Sequence, residues 1–109
     1  MRFTVTNTAA AADATRRLPQ AAQTLRDVIG IAAQQLGYEE ATRPEQIAEA
    51  VARWRQRQGQ IERYENELML TLVEAGASER SLATLMGLGR DTVRRRLEAA
   101  RLRREEQGS

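Results

Sequence analysis

Residues 78–97, SERSLATLMGLGRDTVRRRL, constrain the fold more than any other part of this 109-residue chain. Their apolar residues fall into two short amphipathic stretches with a glycine-rich corner between them. Leu82, Ala83 and Met86 share one helical face, Gly87-Leu88-Gly89 interrupts it, and Val93 and Leu97 resume the helical spacing. Gly87 can take the positive φ that ends a helix. Ala83 is small enough for a second helix to cross close by, Leu88 plugs the corner, and Val93 and Leu97 pin the second helix to a core. Arg90, Asp91, Arg94 and Arg95 are left on the opposite face. Ser78 is a natural N-cap, with Glu79 in the first turn after it. A helix over residues 60–75, carrying Ile61, Leu68, Leu72 and Val73 and stopped by Gly76, precedes the pair. Two helices alone bury too little, so this third one is needed. The competing arrangement is a plain helical hairpin with a solvated arginine face.

The spacing of Ala83, Gly87 four positions on and Val93 six beyond that resembles the helix-turn-helix of bacterial repressors, DNA invertases and sigma-factor-like regulators. The run GLGRDTVRRRL is similar to the "glycine, apolar, serine, x, x, threonine, valine" corner of that group. The resemblance covers roughly the last 45 residues and none of the first 58. It implies a recognition helix that enters the DNA major groove with Arg90, Asp91, Arg94 and Arg95 toward the base edges. Arginine suits guanine O6 and N7; Asp91 either accepts from cytosine N4 or orients Arg94 or Arg95, and the orienting role is preferred. Thr92, Ser78, Arg80 and Ser81 are the corresponding candidates for phosphate contacts near helix N-termini. Arg101, Arg103 and Arg104 either reach phosphates or form a solvated tail balanced by Glu98, Glu105 and Glu106. Two positions depart from the pattern. Gly89 stands where Ser or Thr usually caps the recognition helix, and Arg96 occupies a position that is often apolar. Leu97 is expected to take over that packing, with Arg96 along the rim.

Composition limits the alternatives. Two prolines, seven glycines and abundant Ala, Gln, Arg and Glu predict an all-α protein. Cysteine and histidine are both absent, which removes disulfides, thiol nucleophiles, the usual zinc ligand sets and imidazole acid–base chemistry. Carboxylates are plentiful, but none pairs in an apolar or glycine-rich context and there is no phosphate loop, so no enzyme, cofactor or metal is expected. No stretch approaches the ~18 consecutive apolar residues of a membrane span, and the small-residue run at Ala9 to Ala12 is no signal peptide. The expected location is the cytoplasm, associated with the nucleoid. Net charge is only +2, yet eight arginines lie between Arg80 and Arg104 against Asp91 and Glu98. Residues 60–79 run the other way, with Glu62, Glu65, Glu67, Glu74 and Glu79 against Arg63. A basic face beside an acidic scaffold suits phosphate binding.

The N-terminal half is less specific. MRFTVTN alternates like a short strand, or it is a frayed terminus. A helix is expected over residues 19–36, with Leu18, Ala22, Leu25, Ile29, Ala32 and Leu36 as its apolar stripe and Gly37 as C-cap. Thr42 with Glu45 reads as a capping box, and Pro44 sits in the first turn of the next helix. Ile47, Val51, Trp54, Ile61, Leu68, Leu72 and Ala75 fit one heptad register, with Gln58 and Glu65 as polar exceptions. Unbroken over residues 44–75 this helix would reach ~48 Å, but Gly59 is the expected bend or break. The helices either form an antiparallel hairpin within one chain or pair with a second copy. The alanine-rich seam and Trp54 favour the second. The expected layout is a coiled-coil-like dimerisation region over residues 1–58 and a tri-helical helix-turn-helix domain over residues 59–109. The expected function is a homodimeric transcriptional repressor that reads a palindromic operator in double-stranded DNA. The alternatives are a partition DNA-binding protein and a protein-docking module of the same fold.

Overall fold

The computed structural model describes residues 7–36 and 43–108. They are all-α: α1 spans Thr8–Gln34, α2 Pro44–Glu74, α3 Glu79–Met86 and α4 Arg90–Gly108. The expected N-terminal strand, the Gly37 cap and the Thr42 cap lie outside the described residues. Among the described residues, no helix is long and apolar enough to cross a membrane.

Helix α1 begins well before the expected start at Pro19. Asn7 caps it, its side chain accepting from the Ala10 N–H at 3.1 Å. The alanines at positions 9–12 and 14 are the strongest helix formers available, and Ala11 and Ala14 are buried. Pro19 therefore sits inside the helix, at a cost of about 3 kcal/mol, instead of opening it. The buried stripe is also turned relative to expectation. Ala21, Leu25, Val28 and Ala32 face inward to differing degrees, whereas Ala22 and Ile29 are exposed.

Helix α2 lies antiparallel to α1. Arg17 meets Glu74 at 3.6 Å near one end, and Arg57 Nε donates to Gln35 Oε1 at 3.1 Å near the other. The intrachain hairpin is thus the arrangement adopted. Because Gln35 already lies level with Arg57, the first turns of α2 project past the end of α1. Arg43, not Thr42, stands at the N-cap position, and Gln46 replaces Glu45 as its partner: the Arg43 N–H donates to Gln46 Oε1 at 3.0 Å. Pro44 occupies the first turn, where its missing N–H is harmless. The break expected at Gly59 does not occur. Helix α2 runs through it for 31 residues, about 46 Å. Strong helix formers surround Gly59, and a β-carbon placed there would meet no neighbouring element within 4 Å. The boundary expected between residues 58 and 59 therefore falls inside a continuous helix.

The end of α2, α3 and α4 share one core. Met69, Leu70, Ala77, Leu82, Ala83, Val93, Leu97 and Ala100 are buried together, with Leu72, Val73, Met86 and Leu88 packed along its edge. Both corners close in the same way. At the first, the Ala77 N–H donates to Leu72 C=O and the Gly76 N–H to Val73 C=O; Gly76 has φ 119°. At the second, the Leu88 N–H donates to Ala83 C=O and the Gly87 N–H to Thr84 C=O; Gly87 has φ 67°. This paired closure satisfies carbonyls that a helix end otherwise leaves open, and it needs a left-handed residue at the turn.

Candidate nucleic-acid interface

Ser78 caps α3 as expected, accepting from the Ser81 N–H at 3.0 Å and donating to Ser81 Oγ at 2.8 Å. From that start, Leu82 and Ala83 point into the core and Arg80, Thr84 and Leu85 point out. After the Gly87 corner, Gly89 offers the first carbonyl of α4, accepting from the Val93 N–H at 3.1 Å, and brings no side-chain cap. Val93 and Leu97, with no exposed surface, fix the rotation of α4 about its own axis. That rotation places Arg90, Asp91, Arg94 and Arg95 on the exposed side, with Thr92 half-buried beside them. The eight candidate residues therefore lie at the cap of α3 and along the outer and flanking sides of α3 and α4, on either side of one tight corner.

Arginines along this segment differ in how far they are committed to the fold. Arg96 was expected at the rim, but its side chain is only 11% exposed. It is drawn inward because Nε donates to Asn66 Oδ1 and Nη2 to Glu65 Oε1, with Glu62 also nearby. Glu65, a polar exception in the heptad stripe of α2, is thus where α4 is tied down. Arg104 is fastened the same way: Nε to Glu67 at 2.7 Å, Nη1 to both oxygens of Glu74 at 2.6 Å, and Nη2 to Thr71 Oγ1 at 3.2 Å. Partial burial works against its charge, but the bonds from Glu74 and Glu67 prevail and hold the guanidinium pKa above its ordinary value. The acidic stretch of α2 thus serves as an internal clasp for α4.

The remaining arginines stay on the surface. Arg94 leans toward Glu79 at 3.8 Å and Arg101 toward Glu98 at 3.7 Å, both long and solvent-screened contacts. Arg80, Arg90, Arg95 and Arg103 have no ion pair with any described residue. Asp91 pairs with neither Arg94 nor Arg95, so the orienting role preferred for it is not what the geometry shows. Its place in the first turn of α4 suits the helix dipole.

Thr84 and Leu85 also belong to this surface. With Arg80 and Ser81 they line a shallow depression on the outer side of α3, where Leu85 is 68% exposed. Periodicity alone would have placed them there, since they follow Arg80 and Ser81 by one turn. Among the described residues, no cluster of three potential metal ligands is present. No family model matches the chain, and comparison with curated proteins and with solved structures gives no match.

Proposed function

We propose that the chain is a sequence-specific double-stranded DNA-binding protein without enzymatic activity, acting as a transcriptional regulator, with α3 and α4 as a helix-turn-helix. The observation that carries this reading is the division of α4. Val93 and Leu97 are locked into the core, and Arg90, Arg94 and Arg95 stand together on the exposed side. A helix presenting three arginines from its first two turns suits the major groove, where phosphate attraction supplies affinity and base edges supply selectivity. Ser78, Arg80 and Ser81 at the start of α3 fit the supporting phosphate contacts.

In this reading the protein works as a homodimer, because one motif spans only a few base pairs. Support for a second copy comes from the apolar residues that the hairpin leaves open. Ile29, Ile47 and Val51 are exposed, and Ile29, Trp54 and Ile61 line an open groove of about 410 Å³. Exposed Leu85 favours a second reading, a docking module for another protein, since an apolar side chain beside Arg80 suits a protein partner as well as a phosphate backbone.

The test is selection of bound sequences from random duplex DNA, with affinity for the winner followed against salt concentration. An enriched inverted repeat and a Kd that rises steeply with salt are expected. Uniform binding to all sequences, vanishing at moderate salt, would refute sequence-specific recognition and leave the docking module as the better account.

A further inference from the structure

We infer that Arg90, Asp91 and Arg95 confine the recognised half-site to G·C pairs, each arginine donating two hydrogen bonds to O6 and N7 of a guanine and Asp91 accepting from the N4 amino group of a cytosine. This rests on the reading of α4 as the DNA-contacting helix and specifies its ligand.

The argument begins with which side chains are free to read. A bidentate contact uses the whole planar fork of a guanidinium, so an arginine already clasped cannot make one. Arg96 and Arg104 spend their forks on Asn66, Glu65, Glu67 and Glu74. Arg94 is exposed but leans toward Glu79 at the start of α3, 3.8 Å away, on the side of the residues read as phosphate contacts. Arg90 and Arg95 are exposed and have no ion pair with any described residue. In the major groove only guanine offers two acceptors on one base edge; adenine and thymine offer one each.

Asp91 makes the choice stricter. It is exposed, lies one turn before Arg95, and has no hydrogen bond or ion pair to a described side chain. A free carboxylate in a groove is repelled by N7, O6 and O4 acceptors and tolerated only where an amino group faces it. Cytosine N4 and adenine N6 supply such a group, but adenine sets its N7 acceptor beside it. A neighbouring arginine that requires guanine leaves cytosine on the opposite strand as the natural partner. Asp91 therefore acts by exclusion as much as by attraction.

The experiment uses the full chain and the duplex recovered by selection, with each guanine in turn replaced by 7-deazaguanine. This base pairs normally and keeps O6, but it has no N7 acceptor. Affinity is read by fluorescence anisotropy at one fixed salt concentration. Two guanines per half-site are expected to lose roughly 5- to 10-fold in affinity when replaced, about half of a bidentate contact. Arg90→Ala and Arg95→Ala should each make a different one of those guanines insensitive, changing less than about twofold on its replacement. Asp91→Asn should relax the selection at one cytosine. Specific binding that ignores every 7-deazaguanine would overturn the inference and leave DNA recognition standing. A loss that persists unchanged in both arginine variants would also overturn it. Absence of duplex binding even at low salt would remove the functional reading itself, and this inference with it.

Discussion

Helix α2 takes part in two very different kinds of packing. Toward its C-terminus it joins α3 and α4 around Met69, Leu70, Leu82, Val93 and Leu97, large side chains closed off from water. Along α1, the buried apolar residues are Ala11, Ala14 and Ala32. An alanine methyl removes little apolar area, so the hairpin gains stability mainly from close approach of two long helices. The three-helix cluster gains it from volume filled. A chain built this way holds the outward face of α4 rigidly while its long helical arm stays weakly anchored. The open apolar residues of the arm, Ile29, Ile47 and Val51, lie on the weaker side of that divide.

Truncating a residue on each side is the strongest test of the contrast. Leu97→Ala opens a cavity in a core that cannot collapse around it and should cost about 3 kcal/mol. Ala14→Gly has no side chain to lose beyond one methyl and should cost about 1 kcal/mol, mostly through helix propensity. Urea unfolding followed by circular dichroism reads both. Equal losses would mean that the hairpin carries as much of the stability as the cluster, contrary to what its burial indicates.

A second contrast runs within α4, between arginines that face in and arginines that face out. Arg96→Ala strands Asn66 and Glu65 at the α2–α4 contact and should cost about 2 kcal/mol. Arg95→Ala removes an exposed side chain with no described ion pair, and stability should change by no more than about 0.5 kcal/mol. The same urea experiment separates them. If Arg95→Ala destabilised as much as Arg96→Ala, the outward arginines would be structural too, and their freedom to bind a ligand would be lost as an argument.

These contrasts follow the line between what was legible in the sequence and what was not. The corners at Gly76 and Gly87, the Ser78 cap and the inward Leu82, Ala83, Val93 and Leu97 are set by neighbours within a few residues, and local rules suffice to read them. Arg96 could not be read that way. Its position on α4 is half-way between core and surface, and only the approach of Asn66 and Glu65, about thirty residues earlier, turns it inward. The stripe on α1 is not fixed by local rules for a related reason. Ala21 and Ala22, or Val28 and Ile29, are equally apolar neighbours, and the rotation of α1 follows the burial of Ala11, Ala14 and Ala32, a choice the local sequence does not make. Pro19 and Gly59 are helix breakers by rule, yet the length of strong helix formers around each prevails.

Gly59 allows the finest test of the comparison, since it lies where α2 passes from its projecting arm into the supported half. Its backbone is helical and a β-carbon there meets no other atom within 4 Å. Gly59→Ala should therefore stabilise the protein by about 0.5–1 kcal/mol, because alanine restricts the unfolded chain and costs nothing in the folded one. The gain should appear as a higher urea midpoint with an unchanged slope. A hinge at this position would behave in the opposite way. If α2 had to bend there to seat α1 or a second copy, alanine would stiffen the wrong conformation and the midpoint would fall. The sign of this small effect thus decides whether the arm and the cluster are joined by one rigid rod or by a joint.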